Sequence, residues 1–400
     1  MGSATAANVV ALFGGAFNPV HNAHIHIVKR YKEQFPFARV LWMPSFLSPH
    51  KSNVDLISDK ERVALLSLLL KKNSSLGELS TFEIERKKIS YTIDTVMALK
   101  QLYKNSVIHI IIGDDLISEL PKWRQWEQLA KEVIFVVASR DDKNQDALKE
   151  FLPKEAQFIF LKNACIDISS TMVREALSIG MLEDGLLPKC VKNYIYKHNL
   201  YCGAATSHKA IRGAYTYIKK NLSSSRFVHS LEVAKMARLL AKQYGLSALI
   251  SYQAGFFHDI GRNLSPKKII CYAKRDGNFT SSDEKQNPII FHGKAGSYLL
   301  RRFGFLDLDF LEAVRRHTFA MVGCSPLVAI IYLADYLEPT RAFDNSAIMQ
   351  MIGKCSLGQL VKQVAREMLV YDKKCGRESF LETKLLATAE ESDIIYDNRS

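Results

Sequence analysis

His21 and His24 stand three residues apart where the apolar run "VVALF" ends at Gly14 and Gly15 and a helical pattern begins. That spacing sets both rings on one side of a first helical turn. There an imidazole pair can donate hydrogen bonds to charge building up on a transferring phosphate. The glycines let backbone approach a phosphate closely, and the following helix start offers unpaired N–H groups and a positive dipole end. A second set shows itself as misplaced polarity. Read as a helix, "RFVHSLEVAKMARLLAKQYG" carries Val233, Met236, Leu240 and Tyr244 on a stripe that begins at His229. His317 repeats this, three after Val314, and Asp335 interrupts "LVAIIYLADYLEP" on the face of Val328 and Ile331. An unpaired carboxylate there is costly, so a buried cation is the economical explanation. "FFHDIG" adds His258 and Asp259, and "IIFHGKAG" adds His292. Beyond residue 208 the chain has four histidines, all of them in these places. Imidazole and carboxylate without thiolate suit iron, manganese or another borderline metal.

The elements that must hold these groups differ between the two halves. Strand-like runs appear at "NVVALF", "RVLWMP", "VIHIIIG", "EVIFVVAS" and "QFIFLK", with helix-like segments between them. Near-continuous apolar strands alternating with helices predict a parallel sheet covered on both faces. In such a sheet ligands bind at the carboxyl ends of the strands, where Gly14 and Gly15 stand. From about Lys209 helical periodicity takes over. The expected architecture is therefore an N-terminal α/β Rossmann-like domain, 1–203, and a C-terminal all-α domain, 204–400. "CGAATSHK", Cys202 to Lys209, is the expected linker, and the tail after Gly376 is polar and ambiguous.

Composition excludes several classes. Apolar content of 48% is ample for two cores, and 54 basic against 41 acidic residues give +13, a balance suited to polyanionic partners. The basic residues are spread along the chain and no stretch interleaves them with aromatics, so polyphosphate nucleotides rank ahead of nucleic acid. Seven scattered cysteines without a C-x-x-C pair argue for reduced thiols, against a thiolate zinc site, and for a cytoplasmic protein. No apolar run approaches a membrane span and no secretory signal is evident. The sequence sets no oligomeric state.

"GGAFNPVHNAH" resembles the first signature of the nucleotidyltransferase superfamily, G-x-F-x-P-x-H-x-G-H, with Ala23 in place of the usual glycine. "ISSTMVRE", Ile168 to Glu175, resembles its second signature, about 145 residues on. "SPHK", "YTIDT" and "IIGDDLISELPKWRQWEQL" are similar to bacterial nicotinate-nucleotide adenylyltransferases, over about Val9 to Tyr201. The resemblance implies that ATP and nicotinate mononucleotide give deamido-NAD and pyrophosphate, with Mg2+. It places Gly14, Gly15, Phe17, His21, His24, Ser169, Ser170, Thr171 and Arg174 at ATP, with His21 and His24 catalytic. Lys51, Tyr91, Thr92, Asp115 and Trp123 fall to the mononucleotide. Tyr91 and Trp123 equally fit core aromatics, and Asp115 a helix cap. His26 and His109 read as structural.

The order His, His-Asp, Asp is that of HD-domain phosphohydrolases. "RFVHS", "FFHDIGR", "FHGKAG", "RRHT" and "LADYLEP" resemble the symmetrical diadenosine-tetraphosphate hydrolases, over Lys209 to Arg341. This resemblance implies cleavage of diadenosine tetraphosphate to two ADP. His229, His258, Asp259, His292, His317 and Asp335 would hold two metal ions, iron foremost, with Asp259 bridging and catalytic. Arg226 and Arg262 would meet polyphosphate oxygens, Arg262 standing where that branch more often has lysine. Two other readings of this half are hydrolysis of a different phosphate ester, and nucleotide sensing without turnover.

Overall fold

The computed structural model describes residues 8–46, 55–89, 91–139, 150–162, 166–277, 287–341 and 344–396. The chain divides into two compact units, Met1–Arg174 with Leu182–Leu200, and Glu175–Met181 with Tyr201–Ser400.

The first unit is built on six parallel strands: β1 (Val9–Gly15), β2 (Arg39–Pro44), β3 (Glu78–Leu79), β4 (Val107–Gly113), β5 (Ile134–Ala138) and β6 (Gln157–Leu161). Their order in the sheet is β3-β2-β1-β4-β5-β6. The chain's winding reverses between β1 and β4, the position where such sheets leave a crevice outside the strand ends. Five of these strands are the apolar runs predicted above. β3, two residues long, is too short for any periodicity to signal. On one sheet face Val10, Leu12, Leu41, Met43, Ile108, Ile110, Phe135 and Val137 join one buried cluster. The described α-helices here are α1 (Asn22–Gln34), α2 (Asp59–Lys72), α3 (Phe82–Arg86), α4 (Thr92–Leu102), α5 (Trp126–Glu132), α6 (Ser170–Ile179) and α7 (Lys189–Lys197), with 3-10 helices at Ser74–Leu76 and Asp114–Lys122. α6 runs across the division, its residues from Glu175 on belonging to the second unit. α2 shows why such segments are helical. Ser58 accepts the backbone N–H of Glu61, Asp59 and Glu61 sit in the first turn, and Lys71 and Lys72 in the last, complementing the helix dipole at both ends.

The secondary-structure elements described in the second unit are helices, apart from isolated bridges. Its further helices are α8 (His208–Asn221), α9 (Ser224–Gln243), α10 (Ala248–Phe257), α11 (Pro266–Asp276), α12 (His292–Phe303), α13 (Leu308–Arg316) and α14 (Pro326–Leu337). Four shorter or C-terminal ones follow: α15 (Ser346–Met349), α16 (Leu357–Lys374), α17 (Leu381–Thr388) and α18 (Glu391–Ile394). Serines 207, 223, 247, 325 and 356 and Asp307 each cap a helix by accepting a backbone N–H. α14 is apolar nearly all round and buried, the centre of the core. α9 and α10 pack at close range because Gly255 has no side chain; a Cβ there would stand 2.8 Å from the Ala234 Cα.

The stretch expected to be a linker is part of this unit's core. Cys202, Ala204 and Ala205 are buried, and the Gln253 amide donates to the Ser178 and Cys202 carbonyls and accepts from the Ala204 N–H. A buried side chain answering three backbone groups is what a small polar stretch conceals from a composition reading. The ambiguous tail forms α17 and α18, and Leu386 and Ile394 enter the core. No helix among the described residues is long and apolar enough to cross a membrane.

Two candidate functional sites

The first site begins where β1 runs out. A Cβ on Gly14 would meet nothing within 4 Å, so the strand end is open above that residue. The left-handed backbone falls not on either glycine but on Phe17, at φ 47°. Its ring turns inward, against Phe13, Trp42 and the His24 ring. The buried ring of Phe17, a residue expected at ATP, thus supports His24. Two buried groups hold the loop. Asn18 donates to the Asp55 carbonyl and accepts from the Ile57 N–H. Arg62, fully buried on α2, donates to the Ala16 carbonyl at 2.9 Å and pairs with Asp59.

His21 is the N-cap of α1, and its backbone N–H donates to His24 Nδ1 at 3.2 Å. The neutral His24 ring therefore carries its proton on Nε2. The two rings lie 3.7 Å apart. Burial pushes the His21 pKa down to about 4, so this ring is neutral at pH 7 and offers a hydrogen bond rather than a charge. Its Nδ1 is buried with no hydrogen-bond partner among the described residues, the kind of orphan a ligand answers. The second signature comes to the same place. Ser170 donates to the Pro19 carbonyl at 3.0 Å, and Arg174 to the Asn18 carbonyl at 2.7 Å and to Thr171. Ser169 caps α6 by accepting the Met172 N–H.

Of the residues assigned to the mononucleotide, Asp115 folds over the end of β4, where a Cβ on Gly113 would come within 2.5 Å of its Oδ1. Tyr91 and Trp123 are half-buried against the sheet core, and the Arg124 guanidinium lies 4.6 Å above the Tyr91 ring. Thr92 opens α4. Lys51 lies outside the described residues. His109 pairs with Tyr31 Oη at 3.0 Å inside the core, a structural role.

The second site is drawn together by two glycines. A Cβ on Gly261 would stand 2.3 Å from the His292 carbonyl oxygen, and one on Gly293 would stand 2.7 Å from that of Arg315. Bare backbone at both points lets the segments bearing His258, His292 and His317 touch. Each imidazole is then fixed by its Nδ1. His258 donates to the Gly255 carbonyl at 2.7 Å, His292 to Ile289 at 2.6 Å and His317 to Val314 at 2.8 Å. His229 differs, its Nδ1 meeting the Glu338 carboxylate at 3.0 Å. A carbonyl or carboxylate oxygen accepts, so Nδ1 carries the proton, and in the neutral rings the lone pair sits on Nε2.

All four Nε2 atoms face two carboxylates. His229 Nε2 is 3.2 Å from Asp335, and His292 Nε2 is 3.0 Å from Asp259. Asp259 is also 3.7 Å from His258 Nε2 and 3.8 Å from His317 Nε2. The His292 and His317 Nε2 atoms lie 2.9 Å apart, two lone pairs that repel unless a cation answers them. Among the described residues, Nε2 of His229 and of His258 is buried without a hydrogen-bond partner. His229, His258 and Asp335 form one group that could hold an ion and His258, Asp259 and His317 another; His258 is common to both, and its one Nε2 lone pair serves one ion at a time. Burial, then the neighbouring imidazoles, pushes His317 down to about 3, while His229 is raised because Asp335 and Glu338 outweigh its burial. Asp259 resists burial through His258 and His292 and stays ionised. The donor set therefore fits hard or borderline cations.

Asp335 is largely buried, as its sequence setting predicts, but its side chain keeps 21% of its exposure and meets Arg341, which lies past the end of α14. Arg226 lies on the centre, 3.1 Å from Asp259 Oδ2. Arg262 stands 3.4 Å from the His292 ring. Glu338, Arg341 and Arg62 escaped the sequence reading. Arg62 had a signal, since it starts the α2 stripe of Leu65, Leu66 and Leu69, the same misplaced polarity that exposed Asp335.

Comparison with known proteins finds a different family at each of the two sites. A cytidylyltransferase-like family model matches residues 12–176, and the HD domain model matches 226–340. A Mycoplasma genitalium protein named "Probable nicotinate-nucleotide adenylyltransferase/Ap4A hydrolase" is 30% identical over 88% of this chain and 92% of its own. Its namesake in Mycoplasma pneumoniae is 30% identical over 84% of this chain and 90% of its own. A Staphylococcus epidermidis protein named "Probable nicotinate-nucleotide adenylyltransferase" is 34% identical over 48% of this chain and 96% of its own.

Proposed function

We infer a double activity from one premise: the chain belongs to the nicotinate-nucleotide adenylyltransferase/Ap4A hydrolase family. The first unit transfers AMP from ATP to nicotinate mononucleotide. The mononucleotide's phosphate oxygen attacks the α-phosphorus of ATP, the bond to the β-phosphate breaks, and pyrophosphate leaves. No covalent enzyme intermediate is required, so orientation and charge stabilisation carry the rate. Open backbone at Gly14 gives the phosphates room, and the His24 Nε2–H together with the neutral His21 ring donates to the α-phosphate as charge builds there. Arg174 spends its fork on Asn18 and Thr171, so its work is to hold the two signatures together around ATP, which arrives as its Mg2+ complex. Tyr91, Thr92, Asp115 and Trp123 bracket the nicotinate ring and ribose, and Lys51 is assigned to the phosphates.

The second unit hydrolyses diadenosine tetraphosphate symmetrically to two ADP. The observation that carries this reading is the convergence of four anchored imidazoles on Asp259 and Asp335. His229, His258, Asp259, His292, His317 and Asp335 would hold two metal ions, iron foremost, with Asp259 bridging. When bound, such a pair supplies charge that polarises a phosphate and acidifies water. The chain itself fixes the tautomer of each ligand, and Arg226 and Arg262 meet the polyphosphate at the rim. Product analysis tests this. Protein loaded with iron or manganese should turn diadenosine tetraphosphate into ADP alone. AMP plus ATP would contradict the symmetrical cut, and metal binding without turnover would make the unit a nucleotide sensor.

A further inference from the structure

The basic residues are spread along the chain but the acids are not: residues 201–302 hold 17 Lys and Arg against only 5 Asp and Glu, so nearly all of the +13 falls in a quarter of the chain. Two of those acids are occupied, Asp259 at the metal centre and Asp276 in a pair with Arg315. On α11, Lys268, Tyr272 and Arg275 recur at steps of four and three. On α12, Lys294, Tyr298 and Arg302 recur at steps of four. Such steps place each trio on one helix face. The two faces meet, since the Tyr272 and Tyr298 rings lie 5.1 Å apart. Arg275 reaches Tyr298 Oη at 3.5 Å, and with Arg302 it holds that hydroxyl below its ordinary pKa. Tyr217 of α8 continues the row, packed on Phe303. α12 carries no acid, and the one acid of α11 is Asp276, which is turned inward.

We propose that this face of α11 and α12 binds single-stranded polynucleotide, its arginines and lysines on phosphates and its tyrosines against bases. Cations alternating with aromatic rings are what a single strand requires, because every base has a stacking face. An anionic membrane is the poorer match, since no large apolar side chain of either helix is exposed for insertion among acyl chains. Each helix supplies one such trio, and the contact of Tyr272 with Tyr298 joins the two into one face.

Binding of the full chain to fluorescein-labelled oligo(U) and oligo(dT) of equal length, across a KCl series, tests the proposal. The wild type should bind with a steep salt dependence. The pair Arg275→Gln and Arg302→Gln should weaken binding about tenfold and flatten the log K against log salt slope by about 1.4, two contacts' worth. Tyr272→Ala with Tyr298→Ala should weaken it about tenfold at unchanged slope. A preference between the two oligomers would separate RNA from DNA. All four substitutions should spare adenylyl transfer and metal content, which reports intact folding. The proposal is overturned if the variants bind like wild type, if losing the tyrosines changes nothing, or if vesicles containing phosphatidylglycerol bind while both oligonucleotides do not.

Discussion

The candidate phosphate site at the end of β1 and the candidate metal centre between α9 and α14 both rely on histidine, yet they prepare it differently. At the first, one ring is fixed through a backbone N–H and the other keeps an orphaned Nδ1, neutral and waiting. At the second, all four Nδ1 atoms are anchored, three on carbonyls and one on Glu338, so that four Nε2 atoms point one way. Phosphate transfer needs donors that tighten as charge develops, so a site can leave its last hydrogen bonds to the substrate. A cation needs lone pairs in place beforehand, so the tautomers are set by the fold. The first site is backbone held by buried polar clamps. The second is side chains brought together by missing ones, at Gly261 and Gly293.

The largest effect should come from removing metal. Chelation followed by return of Mg2+ alone should abolish tetraphosphate hydrolysis and leave adenylyl transfer intact; loss of both would erase the contrast. Next is Arg62→Met, which strands the Ala16 carbonyl and Asp59 and should cost the first unit about 3 kcal/mol, read as an earlier melting transition with the second unit's unchanged.

A pH effect of comparable size follows from His21. Its folded pKa of about 4 lies below the ordinary 6.5, so between these values only the unfolded chain takes the proton. Stability of the first unit, with no nucleotide bound, should therefore fall by up to ~3 kcal/mol as pH drops through that window, and His21→Asn should flatten the dependence. The smallest of these effects is Glu338→Gln. It keeps the shape but loosens the hold on His229, and should weaken Mn2+ affinity about 10–100-fold, measured by titration, while adenylyl transfer serves as the folding control.

Much of this was legible in the residues. The five longer strands, the paired signatures and the six converging His and Asp side chains could be read because each is local or breaks a local period. What escaped depends on partners far along the chain. β3 is two residues held by β2, and Glu338 gains meaning only beside His229, 109 residues earlier. "CGAATSHK" looks like a linker until Gln253 reaches it. Phe17 sits inside a nucleotide signature but turns to the core, a direction set by its left-handed backbone rather than by its type.

The central claim, two independent sites on one chain, is tested most directly by crossed turnover of wild type, His24→Ala and Asp259→Ala. Each would receive ATP with nicotinate mononucleotide, and separately diadenosine tetraphosphate with iron or manganese. The account predicts that His24→Ala loses about 10²–10³-fold in adenylyl transfer and keeps hydrolysis, while Asp259→Ala does the reverse, with hydrolysis falling to background. If either substitution removed both activities, or if wild type left the tetraphosphate intact, the account would be contradicted.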